Sequence, residues 1–183
     1  MRSHPQRIRI VIVLAVMLIA APVETWSQRP EAAKGQQRIE REVRHELAML
    51  PFYRVFDYLT FQVQGSAVTL LGQVTLPTLK ADAEAAVKRI EGVEKVMNQI
   101  EVLPSSPSND RIRLNVYRAV YSEGALERYA FQAIPAIHII VKGGHVTLEG
   151  VVARETDKNI ANTRAKGVPG VLSVTNNLHV EKG

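Results

Sequence analysis

The sequence predicts an α+β protein made of two αββαβ modules, each a three-stranded mixed sheet packed by two helices. Three observations predict it. The chain repeats itself, each copy holds a glycine turn between alternating apolar segments, and apolar stripes at helical spacing flank that hairpin.

A fixed-offset repeat is the strongest organisational signal a sequence can carry. Val63 to Val102 aligns without a gap with Val141 to Val180, an offset of 78 residues, and about 16 of 40 positions are identical. Upstream the match resumes at an offset of 73, pairing Ile39, Val43 and Leu47 with Ile112, Val116 and Val120. The second copy therefore carries about five extra residues between its first helix and first strand. Pro104 to Asn109 reads as a linker, rich in proline and serine. The modules so defined are residues 36–103 and 110–182.

Within a module the elements follow from periodicity. Ile39, Val43 and Leu47 form one stripe of a helix over 37–49, and Ile112, Val116 and Val120 repeat it. Leu59, Phe61 and Val63 alternate as a half-buried strand, as do Ile137, Ile139 and Val141. Gly65-Ser66 and Gly143-Gly144 supply hairpin turns that need positive φ. The return strands hold Val68, Leu70 and Val74, and Val146, Leu148 and Val152. Gly72 and Gly150 interrupt them, which signals a bulge or a helix packed close. Second helices are expected over 78–91 and 156–168, capped by Gly92 and Gly170, and last strands over 93–102 and 171–180.

The N-terminus is read as an export signal, residues 1–27. Arg2, Arg7 and Arg9 precede an apolar run from Ile10 to Ala21, and Thr25-Trp26-Ser27 offers a cleavage site near Ser27. That run is short of the ~20 apolar residues a spanning helix needs. Cysteine is absent, which excludes disulfides, thiolate zinc sites, a cysteine nucleophile and a cysteine-linked lipid anchor. The net charge of +5 falls to +3 without residues 1–27, with 20 Lys and Arg against 17 Asp and Glu. This is thin for nucleic acid, and no nucleic-acid partner is expected.

The residues also carry a family resemblance. Gly65 to Gly72, Gly92-Val93 and Val96-x-Asn98-x-Ile100-x-Val102 in the first copy resemble the BON domain, the bacterial OsmY and nodulation domain. Gly143 to Gly150, Gly170-Val171 and Val174-x-Asn176-x-Leu178-x-Val180 do the same in the second. The resemblance implies an αββαβ module in a periplasmic or secreted envelope protein, tied to osmotic or envelope stress and binding phospholipid. A tandem pair behind an export signal is similar to the osmotically inducible periplasmic type. It brings no catalytic residues, and the glycines at 65, 72, 92, 143, 150 and 170 are structural.

The copies differ in charge. Residues 36–103 hold eight Lys and Arg against nine Asp and Glu, a net −1, while 107–183 hold ten against seven, a net +3. An anionic membrane surface would therefore meet the second copy. Its first helix and insertion mix basic and aromatic residues: Arg113, Tyr117, Arg118, Tyr121, Leu126, Arg128 and Tyr129, followed by Phe131. Such a mixture suits a lipid headgroup surface, so these seven are the expected lipid-binding residues. The competing reading packs them against the first copy as core. His138 and His179 are expected to be exposed strand residues, and no metal site or cofactor is expected. Phosphate-binding loops, nucleophile elbows and zinc-protease motifs are missing, so the chain is read as non-enzymatic. Envelope proteins are the alternative partners, met through open sheet faces or edges by an adaptor or chaperone-like factor.

Overall fold

The structure is a computed structural model that describes residues 29–132, 134 and 136–181. The export signal expected over 1–27 lies outside the described residues. Two αββαβ modules are present, as the repeat predicts. The first runs α1 (Arg29–Ala48), β1 (Tyr58–Gln64), β2 (Ala67–Val74), α2 (Pro77–Lys88), β3 (Lys95–Asn98) and β4 (Glu101–Val102). The second runs α3 (Pro107–Tyr121), a 3₁₀ turn (Glu127–Tyr129), β5 (Ile137–Lys142), β6 (His145–Val152), α4 (Glu155–Lys166), β7 (Ser173–Asn176) and β8 (His179–Val180). Among the described residues no helix is long and apolar enough to cross a membrane.

In each sheet the second strand is central. β2 pairs antiparallel with β1 and parallel with β3 and β4, and β6 treats β5, β7 and β8 alike. The last strand, expected unbroken, is interrupted at one place in both modules. The register does not slip across the break, for Ala67 faces Lys95 and Gln73 still faces Glu101. The interruption is made by the asparagine of the Val-x-Asn motif. Asn98 Oδ1 accepts from Ile100 N–H at 3.2 Å, while its Nδ2 donates to the Lys80 carbonyl of α2 at 2.9 Å. Asn176 repeats both bonds, to Leu178 and Lys158, at the same distances. A side chain that bonds its own backbone two residues on competes with the ladder. Here it also ties the strand to the helix.

The helices also differ from the periodicity at their ends. α1 starts at Arg29, since the stretch before Ile39 holds good helix formers but no apolar stripe to reveal them. α3 reaches back into the expected linker. Pro107 occupies its first turn, and Ser106 Oγ accepts from Asn109 N–H at 3.4 Å.

Two cores form. Ile39, Val43 and Leu47 close over Val68, Leu70, Val74, Leu79 and Val87. Ile112, Val116 and Val120 close over Ile139, Val146, Leu148 and Ala161, and this second core also takes in Val55 of the first module. The mid-strand glycines are explained by the neighbouring strand, not by a helix. Gly72 sits at φ 117° and Gly150 at φ 121°. A Cβ would lie 2.0 Å from the Tyr58 carbonyl oxygen at Gly72 and 2.0 Å from that of Ala136 at Gly150.

The modules touch along one seam. Val55 C=O accepts from Ile139 N–H at 2.7 Å, so module 1 occupies part of the free edge of β5. Glu101 pairs with Lys142 at 2.5 Å across the seam. In consequence β5 is buried on both faces from Ile137 to Val141, where alternation predicts a half-exposed strand. His138, expected exposed, is only 6% exposed, because the Tyr53 and Tyr58 rings of module 1 pack on it with centroids 5.4 and 5.6 Å away. His179 is exposed, as expected.

Candidate functional site

The expected lipid-binding set is assembled by α3 and the insertion, and most of it turns inward. α3 commits Ile112, Val116 and Val120 to the core, and the positions beside that stripe fill the remaining buried arc. Arg113 is 5% exposed; its guanidinium donates to the Val141 carbonyl at 3.0 Å and pairs with Asp110. The Tyr121 hydroxyl is buried and donates to the Ile137 carbonyl at 2.6 Å, and burial pushes its pKa up. Tyr117 is half-buried between Tyr121 and Phe56 of module 1, with ring centroids 4.9 and 6.1 Å away. Leu126 is fully buried.

Tyr129 closes a polar cluster under the insertion. Its hydroxyl donates to Asp157 Oδ2 at 2.7 Å and accepts from Ala153 N–H at 2.9 Å. Arg128 lies over the Tyr129 ring, 4.8 Å from its centroid, and pairs with the same carboxylate. Asp157 is 1% exposed at the position that Leu79 fills in module 1. Burial pushes its carboxyl up, but the Tyr129 hydroxyl, Arg154 and Arg128 outweigh this and hold it below the usual 3.8. The insertion thus neutralises a charge that α4 carries into the core. Arg113, Tyr121, Leu126 and Tyr129 are therefore spent on the fold and present nothing to a surface. Of the seven, Arg118 and Arg128 remain exposed and Tyr117 is partly so.

Module 2 keeps an open groove between α3 and α4, of about 510 Å³, lined by Asn115, Arg118, Thr163, Arg164 and Pro169 among others. Module 1 has the same groove between α1 and α2, of about 570 Å³. There it holds Glu42, Glu46 and Glu91 beside Arg41, His45 and Arg89. The repeat offsets place Asn115 where Glu42 stands, Ala119 where Glu46 stands, Pro169 where Glu91 stands and Arg118 where His45 stands. The module 2 groove thus has two guanidiniums and no acid in its lining. Arg164 is tied to Glu123, itself outside that lining. Arg164 was not singled out by the sequence analysis. Setting the two helix pairs side by side at the repeat offsets would have exposed it.

A family model described as the BON domain matches residues 36–104 and again 110–182. The chain belongs to the BON-domain family. BON domains are associated with envelope and stress proteins, and this tandem BON chain has both copies of the αββαβ unit. No curated protein matches it. Two similar solved structures are of CdsD, described as a structural protein of the type III secretion system of Chlamydia trachomatis. One is 13% identical with a TM-score of 0.30, covering 80% of this chain and 93% of that one. The other, the C-terminal domain, is 13% identical with a TM-score of 0.27, covering 78% and 96%. At those TM-scores the likeness bears on neither function nor partners.

Proposed function

We propose that this tandem BON protein is a non-enzymatic envelope factor of the osmotically inducible type. Exported by its N-terminal segment to the periplasm, it holds anionic phospholipid headgroups peripherally through the α3–α4 groove of module 2. One observation carries the reading: the groove that holds three carboxylates in module 1 is lined by none in module 2, where Arg118 and Arg164 face it. Guanidinium groups suit phosphate by charge and by their forked donors. Exposed Leu114, next to the groove on α3, supplies an apolar contact beside the cations. The excess charge of module 2, +3 against −1, favours the same side. The adaptor alternative, which would use open sheet faces or edges, loses part of one such edge to Val55, which already bonds β5.

The test is co-sedimentation of the protein with phosphatidylglycerol or cardiolipin vesicles, against phosphatidylcholine, at low and high salt. Binding should be selective for the anionic vesicles and should fade as the Debye length shrinks toward ~3 Å at 1 M salt. Arg118→Glu should abolish it, and the matching change in module 1, His45→Glu, should leave it. Binding that survives Arg118→Glu, or persists at high salt, would move the search to protein partners.

A further inference from the structure

The seam between the modules opens on one side into a cleft of about 340 Å³. Its walls come from the end of α1, the start of β1 and the outer face of the second sheet. Arg44, Tyr53, Tyr58, Phe61, His138 and His179 line it, with Leu47 and Val151 as further apolar surface. Three features distinguish it from an incidental gap. Its lining holds basic side chains and no carboxylate. The Arg44 guanidinium lies 5.8 Å from the Phe61 ring centroid and has no acidic partner among the described residues. Val151 is left 44% exposed there, a large apolar side chain on a strand whose partner His179 is exposed too.

Two carboxylates stand near the cleft but outside its lining, each holding neutral N–H donors. Asp57 accepts from Thr75 N–H at 2.6 Å and from Arg54 N–H at 3.2 Å, and Glu149 accepts from Asn177 at 2.7 Å. His138, 6% exposed, forms part of the wall, and its Nδ1 has no partner among the described residues.

We propose that the inter-module cleft is a second binding site, separate from the α3–α4 groove, that takes one molecule of an amphiphilic monoanion such as a medium-chain carboxylate. The anionic head meets the Arg44 guanidinium and an N–H of His179. The aliphatic body lies on Tyr58, Phe61 and Val151. Concave sites of about 300–1,000 Å³ with few polar groups on an apolar wall are the usual form of small-ligand sites. This cleft is at the small end, which favours a single free amphiphile over a bilayer surface. Both modules contribute walls, so occupancy ties them together.

The test is calorimetric titration of the protein with monomeric decanoate, with decylamine as the charge-inverted control and the ring protons of the histidines followed by NMR. Saturable one-to-one binding of decanoate and none of decylamine is expected, with shifts at His138 and His179. Arg44→Glu should weaken binding at least about tenfold, equivalent to ~1.4 kcal/mol. Arg41→Glu, an equal charge change one turn away and outside the cleft, should leave it within about twofold. His179→Glu, at an exposed position where folding is not at risk, should weaken it as Arg44→Glu does. The proposal is overturned if decanoate does not saturate, if decylamine binds equally, or if Arg44→Glu and Arg41→Glu behave alike.

Discussion

Replacing Tyr129 by phenylalanine removes one oxygen and nothing else, yet that oxygen joins three groups. It donates to Asp157 at 2.7 Å, accepts from Ala153 N–H at 2.9 Å and accepts from Arg128 at 2.9 Å. Asp157 is 1% exposed, so the lost donor cannot be replaced freely by water. A hydrogen bond to a charged group contributes about 1.5–3 kcal/mol. Ala153 is exposed and its N–H can turn to solvent, so that loss adds little. Tyr129→Phe should therefore cost about 2–3 kcal/mol, mostly through Asp157. In a chain of this size that lowers the melting temperature by roughly 5–10 °C. The assay is urea unfolding at pH 7 followed by circular dichroism, repeated down to pH 3. The pH series separates the cause. Asp157 has its folded pKa held below 3.8, so it contributes stability above that value and loses it as the pH falls through the folded pKa. The gap between Tyr129→Phe and the parent should narrow on that acid limb. A cost below about 0.5 kcal/mol, the size of an ordinary surface change, would refute the account of the insertion as the carboxylate's neutralising partner.

The glycines should rank by what surrounds them. Gly150→Ala should cost more than about 3 kcal/mol or prevent module 2 from folding, since its Cβ meets a backbone oxygen at 2.0 Å and φ is 121°. Gly65→Ala, at φ 61° in open space, should cost only the ~1–2 kcal/mol of the left-handed backbone. Gly124→Ala, with neither feature, should fall within about 0.5 kcal/mol, and equal costs at all three in thermal unfolding would sink the reasoning. His138 should make the protein acid-sensitive. Burial lowers its folded pKa below 6.5, although the Arg54 and Asp57 carbonyls and the Asp57 charge push it back. Below pH 6.5 the unfolded chain therefore binds the proton first, and stability falls until the pH passes the folded value. His138→Phe keeps a ring between Tyr53 and Tyr58 and should flatten the urea midpoint between pH 5 and 7; an unchanged slope would show that His138 does not titrate there.

The sequence by itself determined the modules and their internal order. A repeat at a fixed offset, apolar residues at spacings of two and four, and glycines at obligatory positive φ are local signals, and each survives in the fold. Local pattern also set the buried stripe of α3, Ile112, Val116 and Val120. It did not set what lies beside that stripe. Arg113 and Tyr121 look like surface residues because basic and hydroxyl groups favour water, and only the carbonyls of Val141 and Ile137 brought within reach make their burial affordable. Asp157 is the same case on α4, invisible as a core residue until Tyr129 and Arg128 arrive from 28 and 29 residues away. His138 shows the limit most clearly. Alternation assigned it to the outer face of its sheet, which is correct, but whether that face meets solvent depends on the other module. Tyr53 and Tyr58 cover it, and the same seam leaves the cleft beside Arg44 open. Periodicity reports which side of an element a residue takes; only tertiary packing decides what stands on that side, because contacts between distant segments leave no local trace in the chain.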